Sequence, residues 1–154
     1  MLLTMNNILN IAELEVSYKP NVNTAYHVKC SNDAYKLFTQ LFDEARISMQ
    51  ESFWVLFLNR ANNPIGCYKL STGGIAGTMV DIKLLLSITL KSLASSIVIA
   101  HNHPSCNRKP SKADIELTSK IKKACTLCEV NLIDHIIVTP NNAYFSFADE
   151  GMLL

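Results

Sequence analysis

Two histidines one residue apart, in His101-Asn102-His103-Pro104, follow the apolar run Ser96-Ile97-Val98-Ile99-Ala100, and Ser111 and Asp114 come eight and eleven residues after His103. Residues two apart on a strand share a face. A strand through this run therefore presents both imidazoles to one side where the chain leaves the core. Asp114 adds a carboxylate from the start of a helix. Two imidazoles and a carboxylate make a three-ligand set for zinc with a fourth position left open, the arrangement of a catalytic zinc site. Asp114 also has a second reading, because Ser111-x-x-Asp114 fits a helix capping box. Steps of three and four from Asp114 reach Leu117, Ile121, Ala124 and Cys128, an apolar stripe on which an unpaired carboxylate is costly and a metal would remove the cost. Spacing alone leaves both readings open.

The elements that must hold these groups follow from periodicity and punctuation. Ala12 to Tyr18 alternates apolar and polar residues and reads as a short first strand. Ser31-Asn32-Asp33 opens a helix with Tyr35, Leu37, Phe38, Leu41 and Phe42 at helical spacing, and this helix is expected to reach Glu44. Ser52 to Leu58 is an apolar strand that pairs through the turn Asn62-Asn63-Pro64-Ile65-Gly66 with Cys67–Leu70. Ser71-Thr72-Gly73-Gly74 reads as a loop, and Asp81 starts a helix running to about Leu93 or Ala94. Ser96 to His103 is the ligand strand, Pro104 to Pro110 a loop, and Ser111 to about Cys128 a helix. Leu132 to Val138 and Tyr144 to Phe147 are the last strands. The expected fold is α/β, a mixed sheet flanked by helices, with residues 1–154 as one domain and residues 1–25 as an N-terminal extension.

Composition narrows the function classes. The 154 residues are 49% hydrophobic and 18% charged, which suits an ordinary globular chain. A net charge of +1 gives no general bias toward nucleic acid or membrane. Arg108, Lys109, Lys112, Lys120, Lys122 and Lys123 nevertheless cluster after the histidines, as a solvated helix face or a phosphate-following surface. The apolar stretch Leu84 to Ala100 is interrupted by Lys91 and serines and reads as helix plus strand, with no membrane association expected. Met1–Asn6 has no charged n-region, and five cysteines leave one unpaired within a monomer, so a reduced, cytoplasmic setting is expected. Cys125-x-x-Cys128 has no second pair and reads as packing or helix surface.

The longer string His101-Asn102-His103-Pro104-Ser105, with Pro110-Ser111 and Ala113-Asp114-Ile115, resembles the JAB/MPN (JAMM) metalloprotease family and most closely its RadC branch. The resemblance runs from about Tyr26 to the C-terminus. It implies the JAB/MPN, cytidine-deaminase-like architecture, one Zn2+ per chain on His101, His103 and Asp114, and hydrolysis of a peptide or isopeptide bond in a protein or peptide substrate. It makes Glu51, at the head of Glu51-Ser52-Phe53-Trp54-Val55-Leu56, the general base, with Glu44 the runner-up. Glu51 opens its strand and His103 closes its own, so the two strands must be antiparallel for the groups to meet. The resemblance gives the Ser111 hydroxyl a role in steadying an oxyanion, beside its N-cap role. Gly77-Thr78 resembles a loop element that lines the substrate groove, or is a simple turn.

Asp134-His135 matches a RadC-branch pair, with His135 behind the ligands rather than among them. Cys106 departs from the pattern, which has glycine there, and is a candidate modulator of the metal. Two rival functions remain: a DNA-repair-associated role through the basic cluster, and a non-catalytic binding module that keeps the fold. An HNH nuclease is excluded, because that name describes residues spread over a hairpin and helix. An amidohydrolase barrel is excluded by length. An exposed first strand free to pair with its own copy points to a homodimer.

Overall fold

Ser96–Ala100 carries apolar side chains at successive rather than alternate positions, so both faces of that strand need cover. The computed structural model describes residues 26–73 and 79–153. Its elements are helix α1 (Ser31–Thr39), strands β1 (Ser52–Leu58) and β2 (Pro64–Thr72), helix α2 (Ile82–Lys91), strand β3 (Ser96–Asn102), helix α3 (Lys112–Leu127) and strands β4 (Asn131–Thr139) and β5 (Ala143–Ser146). The strands form one sheet in the order β2-β1-β3-β4-β5. β3 and β4 are parallel, joined through α3, and the other neighbours are antiparallel. This is the mixed α/β architecture expected from the sequence.

β3 lies at the centre and is buried at every position. Ile97 and Ile99 pack with Phe53, Val55, Leu85 of α2 and Ile121 of α3. Val98 and Ala100 pack with Phe38 of α1, Leu56 and Ile136. The period-2 alternation of one strand thus feeds two cores, and the residues after Ala100 inherit it.

Local chemistry sets the element ends. Asp81 opens α2 by accepting from the backbone N–H groups of Lys83 and Leu84. Asn62, at φ 57°, takes the left-handed turn position between β1 and β2 that asparagine tolerates. α2 stops at Lys91, earlier than the spacing suggested, and Leu93 turns the chain at φ 57°. Ser71 and Thr72 belong to β2 rather than a loop, because they pair with Phe53 and Ser52. Glu44 is not helical: α1 ends at Thr39 and turns follow.

The buried stripe of α3 is Thr118, Ile121 and Cys125, with Leu117 and Cys128 at its margin. Hydrophobicity alone misplaces it by part of a turn, because its first member is a threonine. The Ala12–Tyr18 strand and Gly77-Thr78 lie outside the described residues. All five cysteines are free thiols. Among the described residues no helix is long and apolar enough to cross a membrane.

Ile121 is fully buried where α3 meets the sheet. Ile121→Ala should cost about 2–5 kcal/mol, read as a lower denaturant midpoint at unchanged slope. A loss below about 1 kcal/mol would mean that this face is loosely packed.

Candidate metal centre

Parallel pairing of β3 and β4 puts the end of β3, the start of α3 and the end of β4 at one edge of the domain, and antiparallel β1 begins there. His101 pairs across the ladder with Phe53 of β1. His103 continues the line past the end of β3, its N–H donating to the Val138 carbonyl at 2.9 Å. His101 shares the face of Ile97 and Ile99, and His103 follows it. Nε2 of His101 and Nε2 of His103 lie 2.9 Å apart. Asp114 Oδ1 is 3.3 Å from the first and Oδ2 is 3.4 Å from the second. Among the described residues these three form the one cluster of His, Cys, Asp or Glu side chains arranged to hold a metal ion.

The hydrogen bonds behind the cluster decide which nitrogens carry hydrogen. Thr118 Oγ1 donates its only hydrogen to the Asp114 carbonyl, so it accepts from His135 Nδ1 at 2.6 Å. His135 Nε2 is then bare and accepts from His101 Nδ1 at 2.8 Å. That leaves His101 Nε2 without a hydrogen. His103 Nδ1 donates to the Asn107 carbonyl at 2.7 Å, which frees its Nε2 in the same way. Two bare nitrogens and a carboxylate thus converge with no hydrogen to share, an arrangement that repels itself unless a cation sits between them. Two donors on a tetrahedral zinc lie about 3.3–3.4 Å apart, close to the spacings here. The donor set therefore fits a divalent metal.

The charges agree with this geometry. Burial works against the Asp114 carboxylate, but the pull of the His101 and His103 rings in their protonated form, with the hydrogen bond from Ser111, outweighs it and holds its pKa far below the usual range. Burial opposes the charged form of His103 too, yet Asp114, the Asn107 carbonyl and Glu51 together raise its pKa above the ordinary value. Burial and the neighbouring His101 push His135 well below that value, so it stays neutral. Its ring stacks on Phe147 at 4.7 Å between centroids and leans on Phe53.

Both readings of Asp114 hold together. Ser111 Oγ accepts the Asp114 N–H at 3.1 Å, and Asp114 Oδ2 accepts the Ser111 N–H at 2.7 Å, which completes the capping box. The cap aims the carboxylate at the histidines rather than competing with them. Glu51 stands immediately before β1, which is antiparallel to β3 as the reading required. It lies two residues before Phe53, on the face of His101, and its charge is felt at His103.

Cys106 is exposed, and its thiol is not among the converging ligand atoms. Its φ of 61° is the left-handed value that the glycine of the pattern would adopt without strain. Arg108, Lys109, Lys112, Lys120 and Lys123 are exposed, whereas Lys122 donates to the Leu153 carbonyl. Cys125 is buried and Cys128 half-buried. Two residues escaped the sequence reading. Thr118 sits one helical turn after Asp114, and Asn102 is a fully buried amide between the histidines. Strand alternation was the available signal for Asn102, since it turns that amide into the opposite core, where it must find partners.

A family model described as RadC-like JAB domain matches residues 28–152. Similar curated proteins are each named UPF0758 protein. The one from Flavobacterium johnsoniae is 39% identical over 145 residues, 92% of this chain and 62% of that protein. The one from Porphyromonas gingivalis is 47% identical over 104 residues, 68% and 46% of the two chains. The one from Psychrobacter cryohalolentis is 46% identical over 114 residues, 74% and 48%. The chain thus spans about half to three-fifths of the length of these relatives.

A left-handed non-glycine residue costs about 1–2 kcal/mol, part of which glycine gives back as unfolded-state entropy. Cys106→Gly should therefore raise stability by up to about 1 kcal/mol in denaturant unfolding; lower stability would show that the cysteine side chain holds the loop. Protons and metal compete for the same lone pairs. With the His103 pKa raised, that competition begins above the ordinary imidazole value of 6.5 and strengthens as pH falls. Zinc affinity measured by chelator competition should drop steadily from about pH 8 to pH 6; a flat profile would place the ion elsewhere.

Proposed function

The chain belongs to the RadC-like JAB domain family, and from that footing we propose that it is a zinc-dependent metallopeptidase or isopeptidase. The observation that carries the reading is the convergence of two hydrogen-free imidazole nitrogens and the Asp114 carboxylate on one point, with the charge of Glu51 felt at His103. The donor set of two imidazoles and one carboxylate suits zinc. A zinc ion bound there would polarise an amide carbonyl and lower the pKa of a bound water toward about 7.

The residues of the chain supply the remainder. His101, His103 and Asp114 would hold the ion. Glu51 takes a proton from the attacking water and returns it to the amine that leaves. Ser111 caps α3 through its oxygen as an acceptor, so its hydroxyl hydrogen remains free to donate to the oxyanion that forms on the attacked carbonyl. Thr118 and His135 keep His101 in the tautomer that binds. Such outer hydrogen bonds commonly fix ring orientation at metal-binding histidines. The substrate class is a peptide or isopeptide bond presented at the edge of the domain where β3 ends and α3 begins.

Two variants separate binding from chemistry. His103→Ala should lose retained zinc on purification, read by elemental analysis. Glu51→Gln should keep zinc while hydrolysis of a fluorogenic peptide library falls by about 10²–10⁴-fold. Turnover by Glu51→Gln at the wild-type rate would place the base on another residue.

A further inference from the structure

The middle residue of His101-Asn102-His103 takes no part in the metal cluster. Strand alternation turns its side chain to the opposite face of β3, where Asn102 is fully buried. There its amide is used to capacity. Nδ2 donates to the Ile47 carbonyl at 2.7 Å and to the Gln50 carbonyl at 2.9 Å. Oδ1 accepts the N–H of Ser52 at 2.7 Å. Two carbonyls on one side and an N–H on the other fix the orientation of the amide without ambiguity. Gln50 and Ser52 flank a single residue, Glu51, and Ile47 lies in the turns just before it.

On its other side the Glu51 carbonyl accepts the Gly73 N–H at 2.8 Å. The backbone around Glu51 is thereby tied to β3 and to the end of β2. Its side chain makes no hydrogen bond or ion pair among the described residues. A carboxylate without a hydrogen bond of its own depends on its backbone to bring it to the site. The turns before it are closed locally, with Gln50 N–H donating to the Arg46 carbonyl and Ile47 N–H to the Asp43 carbonyl. Of the side chains that bind this stretch, Asn102 is the one rooted in the ligand strand.

We infer that Asn102 is a positioning residue for Glu51: its buried amide locks the Ile47–Ser52 segment to the strand that carries His101 and His103, so that base and metal ligands form one rigid unit. The alternation of β3 makes this possible. Odd positions point to the metal and the even position between them reaches through the other side of the sheet to grip the chain that bears the base. The inference rests on the reading of Glu51 as the base, but the clamp itself is measurable without catalysis.

The test uses the full chain loaded with zinc, in wild-type form and as Asn102→Ser, Asn102→Gln, Glu51→Gln and the double variant Glu51→Gln/Asn102→Ser. In the wild type, hydrogen exchange by NMR should show the Ser52 amide protected to a similar degree as Ile99 in the core; fast exchange at Ser52 would overturn the clamp with no variant needed. In Asn102→Ser, or in Asn102→Gln if the serine variant does not fold, that protection should fall by about tenfold or more while zinc affinity by chelator competition stays within about threefold of wild type. The carboxyl 13C resonance of Glu51 should shift on adding zinc to the wild type, and this shift should be lost in the Asn102 variants. An unchanged shift would overturn the positioning role.

Where the wild type cleaves a library peptide, Asn102→Ser should lower kcat about tenfold or more in the wild-type background and by less than about twofold in the Glu51→Gln background. Equal losses in both backgrounds would show that Asn102 acts otherwise than through Glu51. A wild type that cleaves nothing would count against the peptidase reading, while the exchange and carboxyl measurements would still decide the clamp.

Discussion

Lone pairs aimed at one another repel, and at one edge of this domain three sets of them are held within hydrogen-bonding distance with no hydrogen to lie between. Nε2 of His101, Nε2 of His103 and the Asp114 carboxylate are set 2.9 to 3.4 Å apart. Each taken alone would turn to solvent or find a donor. They stay because every one of them is fixed from behind: His101 by His135, His103 by the Asn107 carbonyl, and Asp114 by the Ser111 N–H. A cation at the centre, whether a shared proton or a metal, turns this repulsion into attraction. The surrounding structure is best understood as what holds the arrangement in place.

That support is distributed over the whole fold. The chain of hydrogen bonds begins at the Asp114 carbonyl, passes through Thr118 and His135, and ends at His101. The helix that supplies the carboxylate thus also sets the tautomer of the histidine it faces. His135 is neutral and dry between Phe53 and Phe147, so its hydrogen has one place to go. The capping box serves two purposes with one set of atoms, opening α3 and aiming Asp114. An acidic residue in the first turn is also favoured by the positive end of the helix. The result is a site whose rigidity comes from hydrogen bonds spaced along three consecutive elements, β3, α3 and β4, rather than from contacts among the ligands.

Several parts of this were legible from residue order. The apolar run Ser96–Ala100 announced a strand with both faces buried, because no alternation was present. His101 and His103 had to share a side, because strand period is two. Ser111 had to open a helix, because its side chain competes for backbone N–H groups that a helix start leaves free. Other parts were not. Thr118 is polar and fell outside an apolar count, so the stripe of α3 was set by part of a turn toward Leu117 and Cys128. Ser71 and Thr72 looked like loop residues before Gly73, yet pairing with β1 drew them into a strand. Glu44 looked helical because apolar residues before it kept helical spacing, but the chain turns after Thr39.

Residue order alone determined the donor types, the shared face of the two histidines and the helix start that presents Asp114, because each depends on neighbours within one turn or one strand. Tertiary structure decided the rest. That β1 runs against β3, which puts Glu51 at the edge of the sheet where His103 lies, follows from sheet order. That His135 selects the bare nitrogen of His101 follows from parallel pairing of β3 with β4 across more than thirty residues of chain. That Asn102 grips the segment before β1 follows from the antiparallel pairing of β1 with β3, seen from the other face. Local spacing fixes which atoms a site has; only the meeting of distant strands fixes where their hydrogens and lone pairs point.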